Sequence, residues 1–461
     1  MTTSPRQVAI TGIGILSCLG NTPAAVSAAL RAGRSGIVAM PRWRERGMGS
    51  QVAARVHRED DAAMPPFSRR YERFMGDTAR FACHAARLAL DDARLDAAAL
   101  HSPRAGVVIG SGSGTLQVYD DAMALVAARG IERAPPFIVP QVMGNTACAS
   151  VAQVFGVQGI SYAVSAACTT STIALGQAAH LIASGAQDVM LAGGSEALHD
   201  NTALMFDAMG TLSRGFNATP HTASRPYDRA RDGFVIGEGA GVLVLESLDH
   251  AVARGANVIA LLDGYGQSTD PGSFVSPGAR GIARAVAAAW RAAGQAPIDY
   301  INTHAPSTPQ GDLAETDALR QVFGGAAGMP AFSSTKAFSG HALGACGVHE
   351  AIYTLLMMRD GFIAGGIGTD AAQTTPTDGS ALQRDPVFAD LPMVERTRDA
   401  RLTRTMSVSF GFGGSCAALC FAARDTVAPS PLSDGSALPP ASAELQKIRG
   451  PVNAPRPKKA P

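Results

Sequence analysis

Short apolar strand patterns alternate with Ala-rich helical ones along most of this chain, and that alternation leaves few folds open. Residues 8–10, 106–109, 188–192 and 242–246 read as strands, while 77–93 and 249–254 carry helical spacing. The pattern resumes with strands at 258–262 and 300–303, then helices at 280–293, 313–322 and 349–359. Strands at 405–409 and 417–422 close it. Interleaving of this kind predicts an α/β fold. With 461 residues, 46% of them hydrophobic, the chain has ample material for a large core.

Charge and cysteine usage exclude several function classes. A formal net charge of +1, with both signs mixed along the chain, gives no electrostatic case for nucleic acid or a bulk membrane surface. A local basic patch for an acidic protein partner stays open. Seven cysteines (18, 83, 148, 168, 346, 416 and 420) are odd in number and scattered, without zinc-ligand spacing. They predict reduced thiols, no metal site and a cytoplasmic location. The apolar start, residues 8–19 ending near Cys18, has a competing reading as an export signal, but it is short and interrupted by Gly12 and Gly14. No run is long and apolar enough to span a membrane.

Cys168 stands in Val164-Ser165-Ala166-Ala167-Cys168-Thr169-Thr170-Ser171-Thr172, between a strand-like stretch at 162–164 and a helical pattern that stops at Gly185. At a helix N-terminus, unpaired amides and the positive end of the helix dipole favour a thiolate, the form a nucleophile needs. The alternative is a buried structural cysteine. Two distant histidines bear on the choice. His304 ends an apolar run and enters a Pro-rich loop, and His341 stands beside Gly340 at the start of a small-residue helix. Either alone reads as a structural residue; with Cys168 they suggest a site.

These segments resemble the condensing enzymes, specifically β-ketoacyl-acyl carrier protein synthases of the synthase I/II type. The matching pieces are the Cys168 run, His304-x-x-Ser307-Thr308-Pro309, Lys336-x-x-x-Gly340-His341-x-x-Gly344-Ala345, and Ser409-Phe410-Gly411-Phe412-Gly413-Gly414. Similarity extends from about Val8 to Ala423 and takes in 206–210 and 227–235. The resemblance implies a thiolase-like fold of two similar halves in five layers, αβαβα. Residues 1–258 would carry the nucleophile and 259–423 the two histidines, with 424–461 a disordered Pro/Ala-rich tail.

The chemistry implied is decarboxylative Claisen condensation of an acyl group held on Cys168 with malonyl-acyl carrier protein, giving 3-oxoacyl-acyl carrier protein. His304 and His341 would donate Nε2–H to the developing enolate oxygen. Lys336 would support the site electrostatically and hold a histidine's partner, with Glu315 close behind. The amides of Cys168 and Phe412 would form the oxyanion hole, and Phe412 would gate the malonyl side. Thr308 and Ser307 would contact the carrier's phosphopantetheine arm. The resemblance also implies a homodimer with no cofactor bound by the chain itself. Residues 110–117 and 141–147 are expected to shape the acyl pocket. Asp312 reads as the cap of a helix near Leu313, and Tyr227-Asp228 with Arg231-Asp232 as a salt-bridged loop.

Three departures stand out. The family loop His-Gly-Thr-Ser-Thr-Pro becomes His304-Ala305-Pro306-Ser307-Thr308-Pro309, and proline removes a hydroxyl and an amide donor. Gly-Gly-Thr-Asn becomes Gly413-Gly414-Ser415-Cys416, and Val408 replaces an asparagine. They suggest a specialised synthase serving a polyene or polyketide pathway. The rivals are a non-catalytic chain-length partner subunit, which usually lacks the cysteine, a carrier-binding scaffold, and a degradative thiolase using Cys416 or Cys420.

Overall fold

The computed structural model describes residues 5–57, 64–276, 278–366 and 382–426. Its main sheet has ten strands: β1 (Val8–Leu16), β2 (Ala105–Gly110), β3 (Ser161–Tyr162), β4 (Val189–Glu196), β5 (Gly239–Ser247), β6 (Ala260–Thr269), β7 (Tyr300–Asn302), β8 (Ala331–Ser333), β9 (Arg404–Gly411) and β10 (Ser415–Ala422). Their spatial order is β8-β7-β9-β10-β6-β1-β5-β4-β2-β3. Counted from its own first strand, each run of five has the same order, 3-2-4-5-1, from outer edge to junction. Directions repeat as well: the outer pairs β2–β3, β2–β4, β7–β8 and β7–β9 are parallel and the inner pairs antiparallel. Among the described residues, the register pairs Ala9↔Leu261 and Ile10↔Ala260 join the two runs.

Six helices complete the repeat: α1 (Asp77–Ala93), α2 (Thr146–Phe155) and α3 (Thr170–Ala183), then α4 (Ala279–Ala292), α5 (Pro309–Phe323) and α6 (Cys346–Asp360). Helices α3 and α6 pack on each other and on strands of both halves, so they form the middle layer. Every residue of α6 from Cys346 to Met357 is buried, as expected of a helix sandwiched between sheets. On the outside α1 covers β1, β4 and β5, and α4 covers β6 and β10. The contact is at backbone distance in both halves. A Cβ on Gly14 would stand 1.8 Å from the Ala85 carbonyl of α1, and one on Gly266 2.2 Å from the Ala285 carbonyl of α4. This is the αβαβα arrangement of a thiolase-like α/β fold.

The glycines that seemed to interrupt an export signal are therefore what lets α1 lie on β1. All nine residues of β1 are buried in the sheet interior, a place incompatible with the signal reading. The division near residue 258 marks a repeat and not a separation, because the chain through Thr426 packs as one compact unit. Residues 424–426 form a short 3-10 turn, and the rest of the expected tail lies outside the described residues. No helix among the described residues is long and apolar enough to cross a membrane.

Candidate active site

The turn carrying Cys168 is fixed before α3 begins. Ala167 has φ +49°, a left-handed conformation that costs a non-glycine residue about 1–2 kcal/mol. Local hydrogen bonds hold it: the Thr169 and Thr170 amides donate to the carbonyls of Ala166 and Ala167 (3.1 and 3.2 Å), and Thr170 Oγ1 accepts from the Ala166 amide (2.8 Å). Thr169 and Thr172 then tie the head of α3 to the other half, through hydroxyl contacts with Ser415 (2.6 Å) and Ser409 (2.7 Å). The sulfur sits where the halves meet.

Each histidine arrives from the second half by a different route. His304 follows β7, and its amide and that of Ala305 donate to the two oxygens of Glu315 on α5 (2.8 and 2.7 Å). His341 pairs with the segment after Phe234: its amide donates to Val235 and its carbonyl accepts from Gly237 (2.8 and 2.9 Å). Phe234 also meets the His341 ring edge-on, at 5.2 Å between centroids. The Cys168 sulfur and one nitrogen from each of His304 and His341 all lie within 4.8 Å of one another. Nε2 of His341 is 3.1 Å from that sulfur.

Lys336 decides the protonation of the set. Burial is the largest influence and opposes its charge, but the attractions of Glu350 and of the acidic groups around it together raise its pKa. An ammonium only donates, and Nζ lies 3.2 Å from His304 Nδ1. His304 must therefore carry its proton on Nε2, the nitrogen left for the cavity. Burial, with Lys336 adding repulsion, holds both imidazoles well below the usual histidine range, so both are neutral. The same three ligand atoms are close enough to chelate a soft cation, but the Lys336 charge beside His304 disfavours one.

The sulfur differs from the expectation of a helix-end thiolate. Burial pushes the Cys168 thiol up to about 12, and the Lys336 charge offsets only part of this. Desolvation outweighs the dipole of α3 because the group sits in low dielectric. The resting nucleophile is a thiol, and His341 is placed to take its proton as the sulfur attacks. Iodoacetamide alkylation of Cys168 is thus expected to rise about tenfold per pH unit from pH 6 to 9. A plateau near neutrality, followed by peptide mass, would show a low-pKa thiolate instead.

The site opens into a cavity of about 570 Å³, lined among others by Cys168, His304, His341, Thr308, Met209 and Phe412. Gly411 brings β9 against the nucleophile, since a Cβ there would stand 2.8 Å from the Cys168 amide nitrogen. Of the segments expected to shape the acyl pocket, Gly112 and Ser113 contribute to the lining, whereas residues 141–147 are not among the lining residues.

Several expected residues lie elsewhere. Ser307 is turned inward, fully buried with φ +75°, and its Oγ accepts from the Arg225 amide (3.1 Å), so it cannot meet a carrier arm. Thr308, not Asp312, caps α5, accepting from the Gly311 amide. Asp312 lies inside the first turn and gathers the amides of Tyr227, Ser307 and Thr308. Glu315 does lie just behind His304, whose backbone it holds, and its carboxylate attracts the Lys336 charge. The lysine's partner is Glu350 on α6, a residue sequence reasoning missed along with Phe234. The 227–232 segment is salt-bridged as expected, through Arg225–Asp228 (3.2 Å) and Arg231–Asp385 (2.8 Å).

Comparison with known proteins agrees with this geometry. Residues 5–251 match the family described as beta-ketoacyl synthase, N-terminal domain, and 259–370 the corresponding C-terminal domain. The chain is 42% identical over 417 residues to 3-oxoacyl-[acyl-carrier-protein] synthase 1 of Escherichia coli, covering 90% of this chain and 98% of that one. It superposes on the ishigamide ketosynthase/chain length factor with a TM-score of 0.80 at 30% identity, covering 91% of this chain and 99% of the other. A type II polyketide acyl-carrier protein complex with its ketosynthase, bound to the hexaketide, gives 0.80 at 28% identity, with coverage of 91% and 100%. Both family domains fall in order across the two halves of the sheet, and this chain belongs to the beta-ketoacyl-acyl carrier protein synthases.

Proposed function

We propose that this chain condenses an acyl group held on Cys168 with malonyl-acyl carrier protein, releasing carbon dioxide and 3-oxoacyl-acyl carrier protein. The observation that carries this is the convergence of one sulfur and two neutral imidazoles in a single cavity, with Lys336 setting the His304 tautomer. In the first step the Cys168 thiol attacks the acyl thioester, His341 Nε2 takes its proton, and the departing arm thiol recovers that proton. In the second, loss of carbon dioxide leaves its electron pair on the malonyl thioester as an enolate. The Nε2–H of His304 stabilises that oxygen, whereas His341, whose Nε2 is a bare acceptor again once the arm thiol has left with the proton, does not donate to it. The carbanion then attacks the acyl-Cys168 carbonyl. The tetrahedral oxyanion faces the amides of Cys168 and Phe412, and its collapse returns the sulfur, which takes a proton from solvent.

Thr308, at the cavity wall, is the arm contact that remains, and Pro306 beside it supplies none. The condensation serves fatty acid synthesis or a related pathway, and the altered loop favours the second, a polyene or polyketide substrate. Thiol, imidazole and ammonium suffice for these steps, so the chain needs no resident cofactor; the substrates arrive on the carrier's phosphopantetheine. Seven free cysteines suit a reducing compartment, the cytoplasm. Large apolar side chains stand exposed between residues 119 and 160, with Ile131 at 71% and Val139 at 66%, and support a homodimer whose mass light scattering would report. A nucleophile within 3.1 Å of an imidazole argues against a non-catalytic partner subunit. Purified chain mixed with acyl and malonyl carriers, and no second subunit, is expected to yield 3-oxoacyl carrier by mass spectrometry. Product appearing only when another synthase is added would reverse that reading.

A further inference from the structure

The strand and helix repeat gives Cys168 a counterpart. Helix α3 joins the third and fourth strands of the first half, and α6 joins the third and fourth of the second. Cys168 precedes α3 by two residues, and Cys346 is the first residue of α6. The heads of these helices meet closely: a Cβ on Gly347 would stand 2.0 Å from Thr172 Oγ1 and 2.9 Å from its amide. Cys346 is buried, and its thiol donates to the backbone carbonyl of Cys168 itself at 3.2 Å. The condensation chemistry uses no second thiol. The other five cysteines lie on other elements: Cys18 follows β1, Cys83 lies on α1, Cys148 on α2, and Cys416 and Cys420 on β10.

We propose that Cys346 is a resolving thiol, which closes a reversible disulfide with Cys168 after a hydroperoxide oxidises the nucleophile. Cys168 is the sulfur that faces the cavity and has a proton acceptor, His341, beside it. The sulfur attacks one oxygen of hydrogen peroxide, the O–O bond breaks, and the thiol proton leaves with the departing hydroxide as water, giving a sulfenic acid. Cys346 then attacks the Cys168 sulfur. The S–O bond breaks, the Cys346 proton joins the departing hydroxide as a second water, and the S–S bond forms. Glu350, a ligand atom of which lies within 4.8 Å of the Cys346 sulfur, is placed to relay that proton. Both sulfurs flank the same ring: Cys168 and Cys346 each bring their sulfur within 4.8 Å of a His304 nitrogen. Without a partner, a sulfenic acid goes on to the irreversible sulfinic acid.

The test is peroxide treatment of the full chain, followed by intact mass, a non-reducing peptide map and activity before and after dithiothreitol. The expected result is loss of two hydrogens, a cross-link between the Cys168 and Cys346 peptides, and nearly full recovery on reduction. Cys346→Ala and Cys346→Ser should instead gain two oxygens at Cys168 and recover almost nothing. The proposal is overturned if wild-type protein also accumulates sulfinic acid without a cross-link, or if Cys168 pairs with another cysteine. Because the readout is the covalent state of the sulfur, it stands or falls independently of the condensation assay.

Discussion

Replacing Cys168 with alanine is expected to lower condensation by at least about 10⁴-fold, because the acyl group then has no covalent resting place. Decarboxylation of malonyl carrier should survive. His304 keeps its Nε2 proton through Lys336, and neither group leans on the sulfur. Intact mass after incubation with acyl carrier should show one acyl group on the parent protein and none on Cys168→Ala. A chain in which both half-reactions vanish together would mean that the sulfur also organises the histidines. A carrier-binding scaffold would show no acyl gain in either form.

The second large effect lies at Lys336. Lys336→Met leaves Glu350 buried without its cation, and breaking a buried pair in this way costs about 3–5 kcal/mol of stability. It also frees His304 to place its proton on Nδ1, so decarboxylation should fall by roughly 10²–10³-fold. Acyl loading, which rests on His341 and Cys168, should fall far less. The two consequences separate in the double variant Lys336→Met/Glu350→Gln. Stability should return in large part, since no unpaired charge remains, while decarboxylation stays low. Recovery of both would assign Lys336 a purely structural part.

Much of this was legible beforehand, for identifiable reasons. Helix 77–93 reads correctly because its apolar residues recur at helical spacing, with Arg80, Arg87, Asp91 and Asp92 falling at the less buried positions. Cys168, His304 and His341 stand out because thioester chemistry needs rare residue types in particular settings. What stayed hidden depends on tertiary placement. The Lys336–Glu350 pair bridges two helices across a turn. Ser307 looks like an exposed loop residue until its positive φ buries it. The thiolate expectation misses for the same reason: a helix end is a local feature, whereas the desolvation that opposes it comes from the residues packed around the sulfur at the cavity floor.

A single-turnover chase tests the shared cavity most directly. Enzyme carrying an isotopically labelled acyl group on Cys168 is separated from its donor and mixed with malonyl carrier. The account predicts that the label leaves as 3-oxoacyl carrier, with one carbon dioxide released per label transferred. Label that stays on the sulfur or departs as free acid, while carbon dioxide is released regardless, would show that nucleophile and histidines do not act on one substrate pair.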